Sequence, residues 1–204
     1  MLGLRALMDL QASRSAARVI TDGTLVLLAD QDRSRWDRGR IDQALAVLTR
    51  ARELGAPGPY LPQAEIAACH ATASSWEKTD WRRMVVLYDE LVERSPSPVV
   101  ELNRAVAVGM LDGPAAGLAI ADELVGAPEL RDYHLLPATR ADFLRRLERW
   151  ETAAAEHRRA LGLTQNERER HFLRRRLAEC EAARASEGEV RRGGPVQEGA
   201  AGWI

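Results

Sequence analysis

Ala141-Asp142-Phe143-Leu144-Arg145-Arg146-Leu147-Glu148-Arg149-Trp150-Glu151-Thr152-Ala153-Ala154-Ala155-Glu156-His157-Arg158-Arg159-Ala160-Leu161 is the stretch that decides the fold class. Its pattern is Ala141-x2-Leu144-x5-Trp150-x2-Ala153-x3-His157-x2-Ala160-Leu161, with apolar and small side chains at helical steps on either side of a short break. Shifting the chain by 34 residues places Ala107 on Ala141, Met110 on Leu144, Ala116 on Trp150 and Ala119 on Ala153. Small residues recur where the two helices of a hairpin approach closely, because larger side chains there would hold them apart.

A period of about 34 residues in helical hairpins resembles the tetratricopeptide arrangement. Working outward, Trp81, Val85, Tyr88 and Leu91 form one helical face closed by Ser95-Pro96. Tyr88 and Pro96 fit the second helix of a preceding copy. Val99, Leu102, Val106 and Met110 form the next face, closed by Asp112-Gly113-Pro114, and Leu118, Ala121 and Leu124 follow. A last helix is expected over 166–183, with Leu173 and Leu177 inside, and a disordered tail over 185–204. Towards the N-terminus the pattern predicts helices over 1–19 and 60–72. Between them lies a helix capped by Asp37, with Ile41, Leu45, Leu48 and Ala51 on its apolar stripe. Thr24-Leu25-Val26-Leu27-Leu28 is the only strand-like stretch. The expected fold is all-α: tetratricopeptide-like hairpins stacked into a short right-handed solenoid, with a short extended segment near 24–29. It divides into an N-terminal helical part (1–78), the repeats (79–184) and the tail. The first helix starts in mid-stride with no N-cap, which suggests a segment cut from something longer or one with little in front of it.

Net charge is −1, so no global field draws the chain to nucleic acid or an anionic membrane. Twenty-eight arginines stand against one lysine, Lys78. Cys69 and Cys180 lie far apart, without CxxC spacing or a His partner, and read as reduced, buried small hydrophobes. No signal-peptide core or membrane-spanning run is present, so a cytoplasmic location is expected.

The chain contains no GxGxxG, Walker loop, HExxH or nucleophile elbow. His70, His134, His157 and His171 share no metal spacing, and His157 falls where the repeat usually places an aromatic, so packing accounts for it. No catalytic residue, cofactor or metal is expected. Two clusters remain as candidate partner-binding residues. In Gln31, Asp32, Arg33, Arg35, Trp36 and Asp37, planar hydrogen-bonding groups surround one large aromatic. The cluster reads first as a turn pinned by Asp–Arg pairs and plugged by Trp36, and second as a recognition knob. Glu101, Asn103, Arg104 and Val108, with Asp142 and Arg145, lie on first helices of the repeats, where they would line a concave groove or make ordinary interhelical bonds. Trp76 and Trp81, near Glu77 and Asp80, are a further contact or a loop plug.

Four blocks, in order, carry a wider resemblance: Leu27-Leu28-Ala29-Asp30-Gln31-Asp32-Arg33-Ser34-Arg35-Trp36-Asp37; Pro96-Ser97-Pro98-Val99-Val100-Glu101-Leu102-Asn103-Arg104-Ala105-Val106-Ala107-Val108; Asp112-Gly113-Pro114-Ala115-Ala116-Gly117-Leu118; and Asp132-Tyr133-His134-Leu135-Leu136. Together they resemble the long tetratricopeptide-like C-terminal extension of one group of bacterial extracytoplasmic-function sigma factors of the sigma-70 family, over roughly residues 1–180. The resemblance implies a regulatory domain in transcription initiation, standing in for a separate anti-sigma factor. Its partners would be the sigma core regions or RNA polymerase, and it would reach promoter DNA only through sigma regions absent from this chain. Within the fourth block Pro137 follows where a helix-friendly residue is expected. Two rival expectations stand beside this one: a peptide-binding adaptor with no transcriptional role, and a small-molecule sensor or enzyme with a pocket between the first helices and the repeats, where His134 and Asp142 are the titratable pair.

Overall fold

Turn chemistry sets where the helices begin and end. The Asp37 and Asp80 carboxylates each accept from a backbone N–H, of Arg40 and Arg83, both at 2.9 Å. Each such cap is worth about 1 kcal/mol. Pro98 and Pro114 stand at the first position of their helices, where a missing N–H costs nothing. Gly113, at φ 99°, makes the turn between them.

The computed structural model describes residues 1–18, 26–55 and 58–192, the last five by backbone alone. Among these residues it is all-helical, with α1 Leu2–Ala12, α2 Arg38–Glu53, α3 Tyr60–Thr72, α4 Trp81–Arg94, α5 Pro98–Leu111, α6 Pro114–Glu123, α7 Leu135–Arg146, α8 Trp150–Leu163 and α9 Glu167–Arg192. Pro137 falls in the first turn of α7, whose N–H groups have no intrahelical acceptor, so it is accommodated there.

Three local expectations are corrected. The N-terminal helix stops at Ala12 and a 3-10 turn, Ser15–Ala17, follows. The strand-like stretch forms no strand where it is described: Leu27 is extended, but Leu28–Asp30 closes into a 3-10 turn, and residues 24 and 25 lie outside the described residues. A strand needs a neighbour to pair with; here the Val26 N–H donates to the Arg18 carbonyl at 2.9 Å instead. The last helix continues past 183 to Arg192, through alanines that favour a helix, while 193–204 lie outside the described residues. The turn between α7 and α8 contains no glycine. It closes as a Schellman motif, with Arg149 N–H on the Leu144 carbonyl at 2.9 Å, Glu148 N–H on Arg145 at 3.0 Å, and Glu148 in the left-handed region at φ 59°.

Each helix packs on the next in chain order, with α1 also against α3. One core joins α1, α2 and α3 around Leu10, Trp36 and Leu48; a second joins α3, α4 and α5 around Trp81, Met84 and Leu87; a third fills α5 to α9 around Leu102, Leu136 and Phe143. Helices α5 and α6 approach closely, with Gly117 against Gly109 and the Ala105 carbonyl. The Phe143 ring of α7 lies against Gly109 and Gly117, and a Cβ on Gly117 would stand 2.6 Å from Phe143 Cζ and 2.7 Å from the Ala105 carbonyl oxygen.

Burial refines the 34-residue alignment. It holds for the first helices, where Leu102 and Leu136, then Ala107 and Ala141, are buried alike. It fails for the second helices, because Ala153 is buried and Ala119 is exposed. There the buried set Ala153, Ala154 and His157 matches Gly117, Leu118 and Ala121, two residues further along, because α7 ends one residue later than α5 in this register and the turn before α8 is one residue longer than the turn before α6.

Gly117→Ala is expected to destabilise the protein by about 1–3 kcal/mol, because the added methyl meets backbone that cannot yield without separating α5 from α6. Gly162→Ala, at an exposed position of α8 with open space around it, is expected to stabilise by about 0.5–1 kcal/mol. Urea unfolding of the two variants gives opposite signs if the close approach is real.

Candidate functional site

The junction between α1 and α2 is built from the ends of helices. The last carbonyls of α3 have no intrahelical partners, and two arginines of the junction take them. The Arg33 guanidinium donates to the carbonyls of His70 and Ala73, the latter at 2.9 Å, and Arg38 donates to Ala71 at 3.4 Å. Positive charge at a helix C-terminus is also favoured by the helix dipole. Arg33 lies over the Trp36 ring, 4.7 Å from its centroid, and Trp36 is only 3% exposed. The Asp37 N–H donates to the Ser13 carbonyl at 2.8 Å, tying the start of α2 to the end of α1.

This placement revises the reading of the junction as a recognition knob. Gln31, Arg33 and Trp36 are buried, so none of them is offered to a partner. Asp32 and Asp37 are exposed but work as caps; Asp32 accepts from Ser34 N–H at 2.9 Å and from its hydroxyl at 2.6 Å, which holds its carboxyl below the usual range. Arg35 alone of the six points a charged side chain outward without such a task.

On α5, Asn103 is exposed, whereas Arg104 reaches Asp89 of α4 at 2.6 Å and Glu101 at 3.7 Å. Val108 is buried. On α7, Asp142 pairs with Arg145 at 2.8 Å. Both influence the ionisation of His157 on α8 and Cys180 on α9, so this pair faces α8 and α9 while Arg104 faces α4. The two groups of candidate residues therefore address different neighbours. His134 and Asp142 are not brought together either: His134 Nε2 lies 3.1 Å from Glu169 of α9. Trp81 is buried and Trp76 half-buried; with His70 they form an aromatic plug, Trp76 stacked on His70 at 5.5 Å and Trp81 edge-on to Trp76 at 4.6 Å.

Three features had no clear signal in the sequence. Glu65, 7% exposed, binds Arg52 of α2 at 2.5 Å and Arg83 of α4 at 2.8 Å, bracing three helices. Arg140 does the same from α7, holding Asp122 of α6 at 2.8 Å and Glu156 of α8. A cavity of about 180 Å³ opens between α1, the junction, α3 and α4, bordered by Leu10, Arg14, Trp36, His70 and Tyr88. Its lining spans nearly eighty residues of chain and follows no local pattern. Among the described residues, no group of three or more His, Cys, Asp or Glu converges as a metal site, and no helix is long and apolar enough to cross a membrane.

With this arrangement in hand, the chain can be compared with known proteins. Residues 1–52, covering α1, the junction and most of α2, match a family of unknown function, DUF6596. An uncharacterized protein of Rhizobium meliloti (strain 1021) is 42% identical over 189 residues, which is 93% of this chain and 44% of that protein. The chain thus spans less than half the length of the curated relative it matches. No solved structure matches.

Buried His157 and half-buried His70 both oppose protonation in the folded chain. Burial pulls His157 down to about 4 from 6.5, with Asp142 opposing and Arg176 and Arg145 adding to the shift. His70 falls to about 4 through burial and the charges of Arg14 and Arg33. Between these values the unfolded chain binds protons that the folded chain does not, so stability declines as pH drops from 6.5 towards 4. His157→Phe is expected to flatten this decline by one proton's worth, roughly 1.4 kcal/mol per pH unit. Urea unfolding followed from about pH 7 to about pH 4.5 measures it; an unchanged slope would show that the ring is not its source.

Proposed function

We propose that this chain is a regulatory, protein-interaction domain of an extracytoplasmic-function sigma factor. It acts on RNA polymerase-dependent transcription initiation by contacting the sigma core regions or the polymerase. In this reading the tetratricopeptide-like repeats of a short right-handed solenoid begin at α4 and run through α8 into α9. The observation that carries the proposal is the serial packing of short helices, each against the next. Such a row presents a long surface, suited to a partner helix or an extended peptide.

Two further facts support it. Asn103 is exposed, and Arg104 is engaged only in half-exposed ion pairs. Pairs of that kind are worth about 1 kcal/mol or less, so Arg104 can turn to a partner's carboxylate at little cost. The Rhizobium relative is more than twice as long as the matched region, which leaves room for the sigma regions that the reading requires.

The test is transcription from a cognate promoter with RNA polymerase and the sigma core regions, with and without this chain added in trans. A change in transcript level is expected. Arg35→Ala combined with Asn103→Ala and Arg104→Ala is expected to weaken the effect by about tenfold or more while leaving helix content unaltered. An unchanged transcript, together with no binding to either component, would overturn the proposal in favour of a peptide-binding adaptor.

A further inference from the structure

We propose that the cavity between α1, α3 and α4 is a binding site for a small monocarboxylate with a compact apolar body, held by Arg14. The proposal does not depend on the transcriptional reading.

The cavity is sized for such a ligand. It measures about 180 Å³, and an engineered apolar cavity of about 150 Å³ takes benzene. Leu10, Leu28 and Ile66 supply apolar wall. The polar groups at its edge are short of partners. Trp36 is only 3% exposed, yet its indole N–H, which can only donate, has no acceptor among the described residues. His70 Nδ1 is likewise buried without a partner. A buried donor left unmade is costly, and natural structures leave few of them without a reason. The Tyr88 phenol, pushed up to about 12 mainly by burial, stays protonated and able to donate.

The charge of the site selects an anion. Arg14 donates to the Gln11 amide oxygen, an uncharged acceptor that it shares with Arg18. Burial, with the repulsion of Arg18 and Arg33, pulls Arg14 down to about 10; it is still a cation at neutral pH, and no carboxylate among the described residues offsets it. His70 beside it stays neutral and adds no counter-charge. One carboxylate would satisfy the guanidinium in the planar geometry that arginine favours, while an aromatic ring or branched alkyl group fills the apolar wall. The ligand would touch α1 at Arg14, the junction at Trp36, α3 at His70 and α4 at Tyr88, so its binding would tighten the N-terminal helices onto the rest of the chain.

Titration of the full chain with sodium benzoate and sodium isobutyrate, followed by calorimetry and by tryptophan fluorescence, tests this. The neutral amide benzamide and bare sulfate serve as comparisons. Expected results are one-to-one binding of benzoate with a Kd below about 1 mM, and benzamide and sulfate weaker by about tenfold or more. Arg14→Gln is expected to weaken benzoate by a similar factor, and Ala67→Phe, which fills the cavity, to abolish binding. If either variant fails to fold, the order of benzoate over benzamide and sulfate in the unaltered chain still decides. The proposal is overturned if neither carboxylate binds, if benzamide binds as well as benzoate, or if sulfate does.

Discussion

Two arginine side chains that end a helix to which they do not belong hold the N-terminal third of this molecule in place. Arg33 and Arg38 supply donors to the last carbonyls of α3, and those carbonyls are what a helix end cannot satisfy alone. The bond places Trp36 beneath Arg33 in the core of α1, α2 and α3, and it brings Asp37 to the end of α1. Without the pin, the 3-10 turns between α1 and α2 have few contacts of their own. The cavity is a by-product of the same geometry, since Trp36 and His70 both border it and both are fixed by Arg33.

The rest of the chain follows a different logic. From α5 onward the helices are held by closeness: Gly109 and Gly117 let α5 and α6 approach until only the Phe143 ring separates side chains. Glu65 and Arg140 each bind two oppositely charged partners on flanking helices, so a single charged residue sets the spacing of three helices in each half. Glu65 is the more telling of the two, because its buried carboxylate has one oxygen on Arg52 and the other on Arg83.

Most helices were legible because their ends are marked by chemistry with one outcome. Asp37 as a cap, the Asp112-Gly113-Pro114 break and the 60–72 helix all appear as the pattern predicts. What could not be read has physical reasons. A Trp flanked by arginines looks the same whether it fills a core or projects to a partner; only the carbonyls of α3, distant in sequence, decide it. Gly109 and Gly117 read locally as weak helix positions, although their missing side chains are what let α5, α6 and Phe143 pack together. The α7–α8 turn carries no glycine, so the change of register between second helices went unseen. Of the candidate surface residues, Arg35, Asn103 and Arg104 remain accessible to a partner, whereas Gln31, Arg33 and Trp36 do not.

The claim that the junction is a clasp is tested most directly by native-state hydrogen exchange on Arg33→Met, which keeps the aliphatic stem and removes every donor. The account predicts lost protection across α1, α2 and α3, with α7, α8 and α9 left as protected as in the unaltered chain. Unchanged protection throughout would contradict it. That result would show that α1, α2 and α3 are held together without the arginine donors.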